Sequence, residues 1–372
     1  MKICYLAGAS SIHTFRWANY FRERGHKVSI ISLAPSAFDY QGIEIFQIKK
    51  IMSNPTLSSH LINFFPIFFQ LWQIKRKIKA DVFHALGSSN GWLAALVGFH
   101  PLIFDIIDPG IFSIPFQRKL PKIYKILNRY ALKKADLLVC DGENTKEAML
   151  ELGADPQKIK IIRCGVDTEK FKLKKLPNNF KSKFFQENEK IVISIKPLRS
   201  ECDVETLVKA APKILKEIPE ARFLIVGEGD QKEKLINLAN SLGVAQAIKF
   251  LGWIQHEDIP LYLNLADVFV STSLVEGGGL AVSTAEAMAC ELPVVVSDSG
   301  DNKLWIKNGE NGFVFPVKDL ETLAKYVILL LKNEDLRRKL AKVNRRLIEE
   351  KNNYQKEMEK MEKIYENLIQ KL

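Results

Sequence analysis

A chain of 372 residues is too long for one ordinary hydrophobic core and suits two domains. With 47% hydrophobic and 26% charged residues, no low-complexity tract, no repeat and no secretory signal, the composition excludes disordered, fibrous and membrane-spanning classes. The net charge of +11 is concentrated between Lys49 and Lys134, where thirteen Lys and Arg face only Asp81, Asp105 and Asp108, so the positive field belongs to one part of the first half.

In chain order, "KICYLAG" reads as a core strand, and the loop "AGASSIHTFRW" leaves its carboxyl end. "TFRWANYFRERG" follows as a helix, then "KVSIISL" and "EIFQI" as strands. "LINFFPIFFQLWQIKRKIK" couples Phe64, Phe65, Phe68, Phe69 and Trp72 to Lys75, Arg76, Lys77 and Lys79, and it is too short and too interrupted to span a bilayer. Two readings stand: a core helix with a solvated basic end, or a helix lying in a membrane interface, with Phe64, Phe68 and Trp72 down and the cations against anionic head groups. "DVFHAL" and "LIFDII" are strands, "KIYKILNRYALKKA" is a second basic helix carrying Lys122 and Arg129, and "DLLVC" is a strand.

Near 165–188 the pattern breaks into a polar, lysine-rich stretch that reads as a linker. Beyond it "IVISIK", "RFLIVGEG", "IKFLGW", "DVFVST" and "PVVVSD" are strands with helical patterns between them, and about 332–372 is a long charged helical region able to cross back. The expected architecture is α/β: two doubly wound Rossmann-like domains facing across a cleft, residues 1–168 with a C-terminal helix 355–372, a linker 169–188, and residues 189–354. Ligands in such sheets sit at the carboxyl ends of the strands.

Five scattered cysteines without CxxC spacing argue against a disulfide framework and a zinc site, dispersed histidines and the lack of an Asp-x-Asp tripeptide argue against any metal, and a reducing cytoplasm is expected. The stretch "SLVEGGGLAVSTAEAMAC" follows a strand and opens a helix near Ser283. Free N–H groups there, with no Cβ on Gly277, Gly278 or Gly279, make a phosphate cradle. Glu286 has a second reading, because Ser283-x-x-Glu286 has the spacing of a capping box.

The motifs "ADVFVSTSLVEGGG", "STAEAMACELPVVVSDSGDN", "IKNGENGFVFPVKD", "IRCGVDTEKF" and "VGEGDQKEKL" together resemble glycosyltransferase family 4, over most of the chain. The resemblance implies the GT-B fold and a retaining glycosyltransferase without a metal or other cofactor. It would move a hexose or N-acetylhexosamine from a nucleotide sugar, such as a UDP- or GDP-sugar, to a glycan or lipid-linked acceptor. It also implies that the second domain binds the donor and the first the acceptor. Glu286 would take the ribose hydroxyls, Glu276 the donor sugar, and the N–H groups of Gly277, Gly278, Gly279 and Leu280 the diphosphate. Gly8, Ser10, Ser11, His13 and Arg16 become candidates for acceptor contact or for closing on the diphosphate, with a solvated helix-start role for His13 as the other reading.

Three departures from the family pattern stand out. Glu276 and Glu286 are ten positions apart, two more than in the family, so the glycine loop is expanded. Pro197 and Cys202 replace an Arg and a Lys, leaving Lys196 and Arg199 as available cations. In "FDIIDPG", Asp105 stands where many members carry a His and Asp108 matches an Asp, giving carboxylates for hydroxyl orientation or base chemistry, or for Asp108 a turn. The expected setting is the inner face of the cytoplasmic membrane, with an anionic surface as partner and nucleic acid disfavoured. A catalytically weakened sugar-nucleotide-binding subunit and a sugar-nucleotide 2-epimerase are the alternatives.

Overall fold

The computed structural model describes residues 1–49, 57–106 and 122–371. The chain divides into two compact units, Met1–Cys164 with Lys356–Leu372, and Gly165–Gln355.

Unit 1 carries β1 (Lys2–Leu6), α1 (Ile12–Glu23), β2 (Lys27–Ser32), β3 (Glu44–Gln47), α2 (Leu57–Lys77), β4 (Val82–Leu86), α3 (Ser88–Val97), β5 (Leu102–Ile106), α4 (Lys122–Lys134), β6 (Leu137–Cys140), α5 (Glu143–Glu151) and β7 (Ile159–Ile161). Its seven strands are all parallel in the order β3-β2-β1-β4-β5-β6-β7. β4 and β5 are buried at every position, as expected of strands covered on both faces. Three of these elements escape a reading by runs and periodicity: β7 is only three residues long, α3 has a weak apolar pattern punctuated by Gly91, and α5 is short and mostly polar.

Unit 2 carries β8 (Lys190–Ile195), α6 (Val204–Glu217), β9 (Ala221–Val226), α7 (Lys232–Ser241), β10 (Ile248–Gly252), α8 (Ile259–Leu265), β11 (Val268–Ser271), α9 (Val282–Ala289), β12 (Val294–Ser297), α10 (Asn302–Trp305), β13 (Gly312–Phe315), α11 (Leu320–Lys332) and α12 (Glu334–Lys351). Its six parallel strands run β10-β9-β8-β11-β12-β13, so the strand order reverses between β8 and β11. The side chains of β8 alternate: Val192 enters the core on one face, Ile191 and Ile193 that on the other. Both units are Rossmann-like, and together they make the two-domain GT-B fold.

One expectation about connections needs correction. Residues 169–188, read as a linker, pack within unit 2, because Phe171, Phe180 and Phe185 among the lysines are buried in its core. The charged C-terminal region consists of two helices, α12 and α13 (Tyr354–Gln370). At the break Val166 pairs with Asn353, its N–H donating to Asn352 O at 2.8 Å and its carbonyl accepting from Tyr354 N at 2.9 Å. Gly165 makes that close approach, since a Cβ there would lie 2.5 Å from Tyr354 Cα.

Candidate donor site and a buried polar chain

The reversal between β8 and β11 is where a doubly wound sheet opens a crevice at its carboxyl edge. β8 delivers Lys196 there and β11 delivers the loop 272–281. Lys196 is buried, and its Nζ is ion-paired to Glu276 Oε1, with Ser271 Oγ 3.4 Å from the same oxygen. The expanded glycine loop folds onto the turn that follows β12: Glu276 N donates to Ser299 Oγ at 2.7 Å, and Gly279 N to Asp301 Oδ2 at 3.0 Å. Gly300 permits this packing, because a Cβ on it would stand 2.7 Å from Gly277 O. Leu280 is buried and closes the loop against the core. Ser299 and Asp301 were not singled out from the sequence, although their position after a strand's carboxyl end was a usable signal.

Glu286 lies in the interior of α9, whose N-cap is Ala281 without a side-chain cap. The capping-box reading therefore fails: Ser283 is already inside the helix, and the Glu286 carboxylate is turned elsewhere. His256 Nε2 lies 2.6 Å from Glu286 Oε1, and Lys170 Nζ lies 3.0 Å from His256 Nδ1. An ammonium only donates, so Nδ1 accepts and Nε2–H donates to the carboxylate. The ring tilts against Phe171 at 5.2 Å. Arg345 secures both sides, donating to Thr168 O, Phe171 O and Ala289 O at 2.7–3.0 Å. Glu286 is buried, while the His256 side chain is 34% exposed. His256 too was missed, yet it leaves the carboxyl end of β10, the place the strand-end rule indicates.

Arg199 departs from this cluster. Its side chain is 64% exposed and its Nη1 lies 4.0 Å from Glu201 Oε1. It lines a cavity of about 370 Å³ with Lys209, Lys234 and Lys318 at the start of α6.

In unit 1 the turn after β1 places Gly8, Ser10 and Ser11 ahead of α1, with Ser11 N donating to Gly8 O at 3.0 Å. His13 and Arg16 stand three residues apart in the first turns of α1, on neighbouring positions of one face, both half-buried. Asp105 does not reach an open surface. It is 1% exposed within β5, its Oδ2 is 3.5 Å from His84 Nε2, and neither carboxylate oxygen has a hydrogen-bond partner among the described residues. His84 Nδ1 lies 2.6 Å from Tyr365 Oη, which lies 3.2 Å from Tyr5 Oη. Burial pushes the Tyr365 hydroxyl well above its ordinary range, so it stays protonated and links His84 Nδ1 to Tyr5 Oη, while the other ring nitrogen of His84 faces Asp105. Asp108 lies outside the described residues.

The basic surface is rearranged relative to the expectation. Phe64 and Phe68 pack against the unit 1 core beside Ile67 and Leu71, and Phe65 (77% exposed), Phe69 and Trp72 are the outward aromatics. The helix has two apolar stripes one position apart, and the core takes the one that includes the aliphatic residues. Arg76 sits over Trp72 at 4.3 Å, and Lys77 is exposed. Lys75 instead caps α3, donating to Val97 O and Gly98 O at 3.1 and 2.5 Å. α3 packs against both α2 and α4, and α4 exposes Ile123, Ile126 and Tyr130 next to Arg129, Lys133 and Lys134. The side chain of Lys122 lies outside the described residues.

All five cysteines are free. Burial pushes the Cys4 and Cys290 thiols up to about 12 and those of Cys140, Cys164 and Cys202 in the same direction, which makes them packing groups and not nucleophiles. Among the described residues no cluster of three or more metal-ligating side chains occurs, and no helix is long and apolar enough to cross a membrane.

Residues 176–347 match the family model described as "Glycosyl transferases group 1", and residues 2–142 that described as "Glycosyl transferase 4-like". The chain is 30% identical over 285 residues, 74% of its length and 73% of the relative's, to the UDP-Gal:alpha-D-GlcNAc-diphosphoundecaprenol alpha-1,3-galactosyltransferase of Escherichia coli. Its fold is similar to that of sucrose-phosphate synthase from Thermosynechococcus elongatus, with a TM-score of 0.87, 17% identity and full coverage of both chains. It is also similar to Anabaena HepE solved with UDP-glucose, with a TM-score of 0.82 and 18% identity, covering 99% of this chain and 100% of that one.

Proposed function

The chain belongs to the family 4 glycosyltransferases, and on that premise we propose that it transfers a hexose or N-acetylhexosamine, with retention, from a nucleotide sugar to a lipid-linked glycan at the cytoplasmic membrane surface. Unit 2 takes the donor and unit 1 the acceptor. The observation that carries the donor assignment is the Glu286 carboxylate: buried, anchored through one oxygen, and set beside the reversal of strand order.

Glu286 accepts hydrogen bonds from the ribose hydroxyls, as carboxylates do from vicinal diols. The N–H groups of Gly277, Gly278, Gly279 and Leu280 and the start of α9 carry the diphosphate. Lys196 holds the Glu276 carboxylate in place for the sugar hydroxyls. A donor phosphate oxygen takes the acceptor proton as the new bond forms on the face from which the nucleotide departs. The Gly279 amide must release Asp301 before it can serve a phosphate, which makes loop opening part of donor binding. A nucleotide sugar such as a UDP-sugar and a diphospholipid-linked acceptor are supported by the named substrates of the E. coli relative, and retention by the alpha product in its name.

Attachment to the membrane rests on the outward apolar rows of α2 and α4. Phe65, Phe69 and Trp72 on one helix and Ile123, Ile126 and Tyr130 on the other lie beside Arg76, Lys77, Arg129, Lys133 and Lys134. Serine at Phe65, Phe69 and Trp72 together is expected to abolish flotation with anionic phosphatidylglycerol vesicles while neutral vesicles show no binding to either form; equal flotation of both forms removes the membrane assignment.

The test of the function is incubation with UDP-galactose, UDP-glucose, UDP-N-acetylglucosamine and GDP-mannose and a polyprenyl-diphosphate sugar acceptor. One donor should give an alpha-linked product by NMR, in EDTA as in buffer. A beta product overturns retention, and loss of turnover in EDTA overturns metal independence.

A further inference from the structure

Glu286 is held by residues that the assignment of the donor site does not use. His256 leaves the carboxyl end of β10 and Lys170 lies in the segment that enters unit 2, yet both converge on one carboxylate of α9. The three groups form a directional chain: Lys170 Nζ–H donates to Nδ1, and Nε2–H donates to Glu286 Oε1. Because Lys170 occupies the Nδ1 lone pair, the imidazole is held in the tautomer whose proton points at Glu286. Ring rotation is opposed by Phe171 on one side, and the shared Arg345 guanidinium ties the Lys170 segment to the end of α9. Lys170 Nζ also lies 3.6 Å from Glu257 Oε1, a highly exposed carboxylate that leaves the ammonium oriented towards the ring.

We infer that His256 is a positioning residue for donor recognition, anchoring Oε1 of Glu286 so that Oε2 and the remaining lone pair of Oε1 are aimed at the vicinal hydroxyls of a nucleoside diphosphate ribose. The inference rests on the donor-site reading given above. It extends that reading by assigning ribose selectivity to an imidazole outside the family motifs that carry the resemblance and to a lysine at the end of one of them, "IRCGVDTEKF". A carboxylate on a helix has free rotation about its terminal bonds, and a bidentate contact to two hydroxyls requires one orientation. A fixed second partner supplies that orientation before the ligand arrives, so the hydroxyls do not have to order the side chain. A site built to accept from a hydroxyl also rejects the analogue lacking it, because the carboxylate oxygen is then left without its partner.

The experiment is calorimetric titration of the full chain with UDP and GDP and with their 2′-deoxy and 3′-deoxy counterparts. The wild type is expected to bind the ribonucleotide that fits about tenfold more tightly than its deoxy forms. His256→Ala is expected to reduce that ratio to about twofold or less. His256→Gln, whose amide N–H can still donate to Glu286, restores most of it, and Lys170→Met gives an intermediate ratio because the imidazole is free to turn. Thermal melts of each variant separate this effect from misfolding, and a side chain that merely packs on Phe171 would change affinity for the ribonucleotide and its deoxy forms alike. A wild-type ratio retained in His256→Ala overturns the inference alone. Absence of ribose discrimination in the wild type overturns it together with the ribose assignment of Glu286.

Discussion

Each unit contains a carboxylate facing a histidine, and the two pairs differ in nearly every physical respect. In unit 2, Glu286 and His256 are 2.6 Å apart, the imidazole is partly open to solvent, and Lys170 brings a positive charge to its far side. In unit 1, Asp105 and His84 are 3.5 Å apart, both are sealed within the sheet, and the far side of the imidazole receives the neutral hydroxyl of Tyr365. A carboxylate with a cation nearby and an open edge can bind and release a ligand. A carboxylate sealed from solvent can influence only its immediate neighbours, at a desolvation cost that the rest of the fold must offset. The surroundings make Glu286 the binding group and turn the unit 1 pair into an anchor for α13.

The contrast is broken most directly at Glu286. Replacement by Ala is expected to lower turnover with the preferred donor by about a hundredfold or more, the scale of losing charge-assisted contacts to two hydroxyls, while hydrogen exchange in unit 1 stays unchanged. Tyr365→Phe should do the reverse. It removes the hydrogen-bond partner of His84 Nδ1 and of Tyr5 Oη, at a cost of about 1–3 kcal/mol. Faster exchange of residues 356–370 with an unaltered nucleotide affinity is the expected pair of results. A change in nucleotide affinity would show that the sealed pair serves the donor site after all.

The smallest effect concerns the second contact of α13, where Glu362 meets Arg24 at 2.8 Å and His26 at 2.7 Å. Partial burial raises the Glu362 carboxyl, but the hydrogen bonds from Arg24 and His26 outweigh it and the net shift is downward. A carboxyl with a depressed folded-state value contributes stability above its unfolded value of about 4.3, and that contribution is lost as pH falls through the lowered value. Exchange protection of α13 should therefore decline below about pH 4 in the wild type, and Glu362→Gln should flatten that dependence. With Arg24 nearly half exposed, the difference at neutral pH is under about 1 kcal/mol.

The sequence was most informative where one strand or one motif decided the outcome. Continuous apolar runs located most of the parallel strands, and the loop after β11 located Glu276, Glu286 and the glycines. It was least informative where the partner arrives from elsewhere in the fold. His256 reaches Glu286 across 30 residues of chain, and Tyr365 reaches His84 across 281. No local pattern encodes such pairs. The linker expectation failed for a related reason: lysines dominate the composition of 169–188, but three phenylalanines decide where it packs. On α2 the two aromatic stripes are equally apolar, so periodicity could not choose the buried one until Ile67 and Leu71 met the sheet.

The central claim is that the chain is a glycosyltransferase whose donor is held through Glu286 in unit 2. A side-by-side transfer assay of the wild type and Glu286→Ala, at saturating lipid-linked acceptor and with increasing donor, tests it most directly. The expected result is glycosyl transfer by the wild type and a fall of about a hundredfold or more in kcat/KM for the donor in a variant that melts at the same temperature. Transfer by a correctly folded Glu286→Ala protein at the wild-type kcat/KM would contradict it.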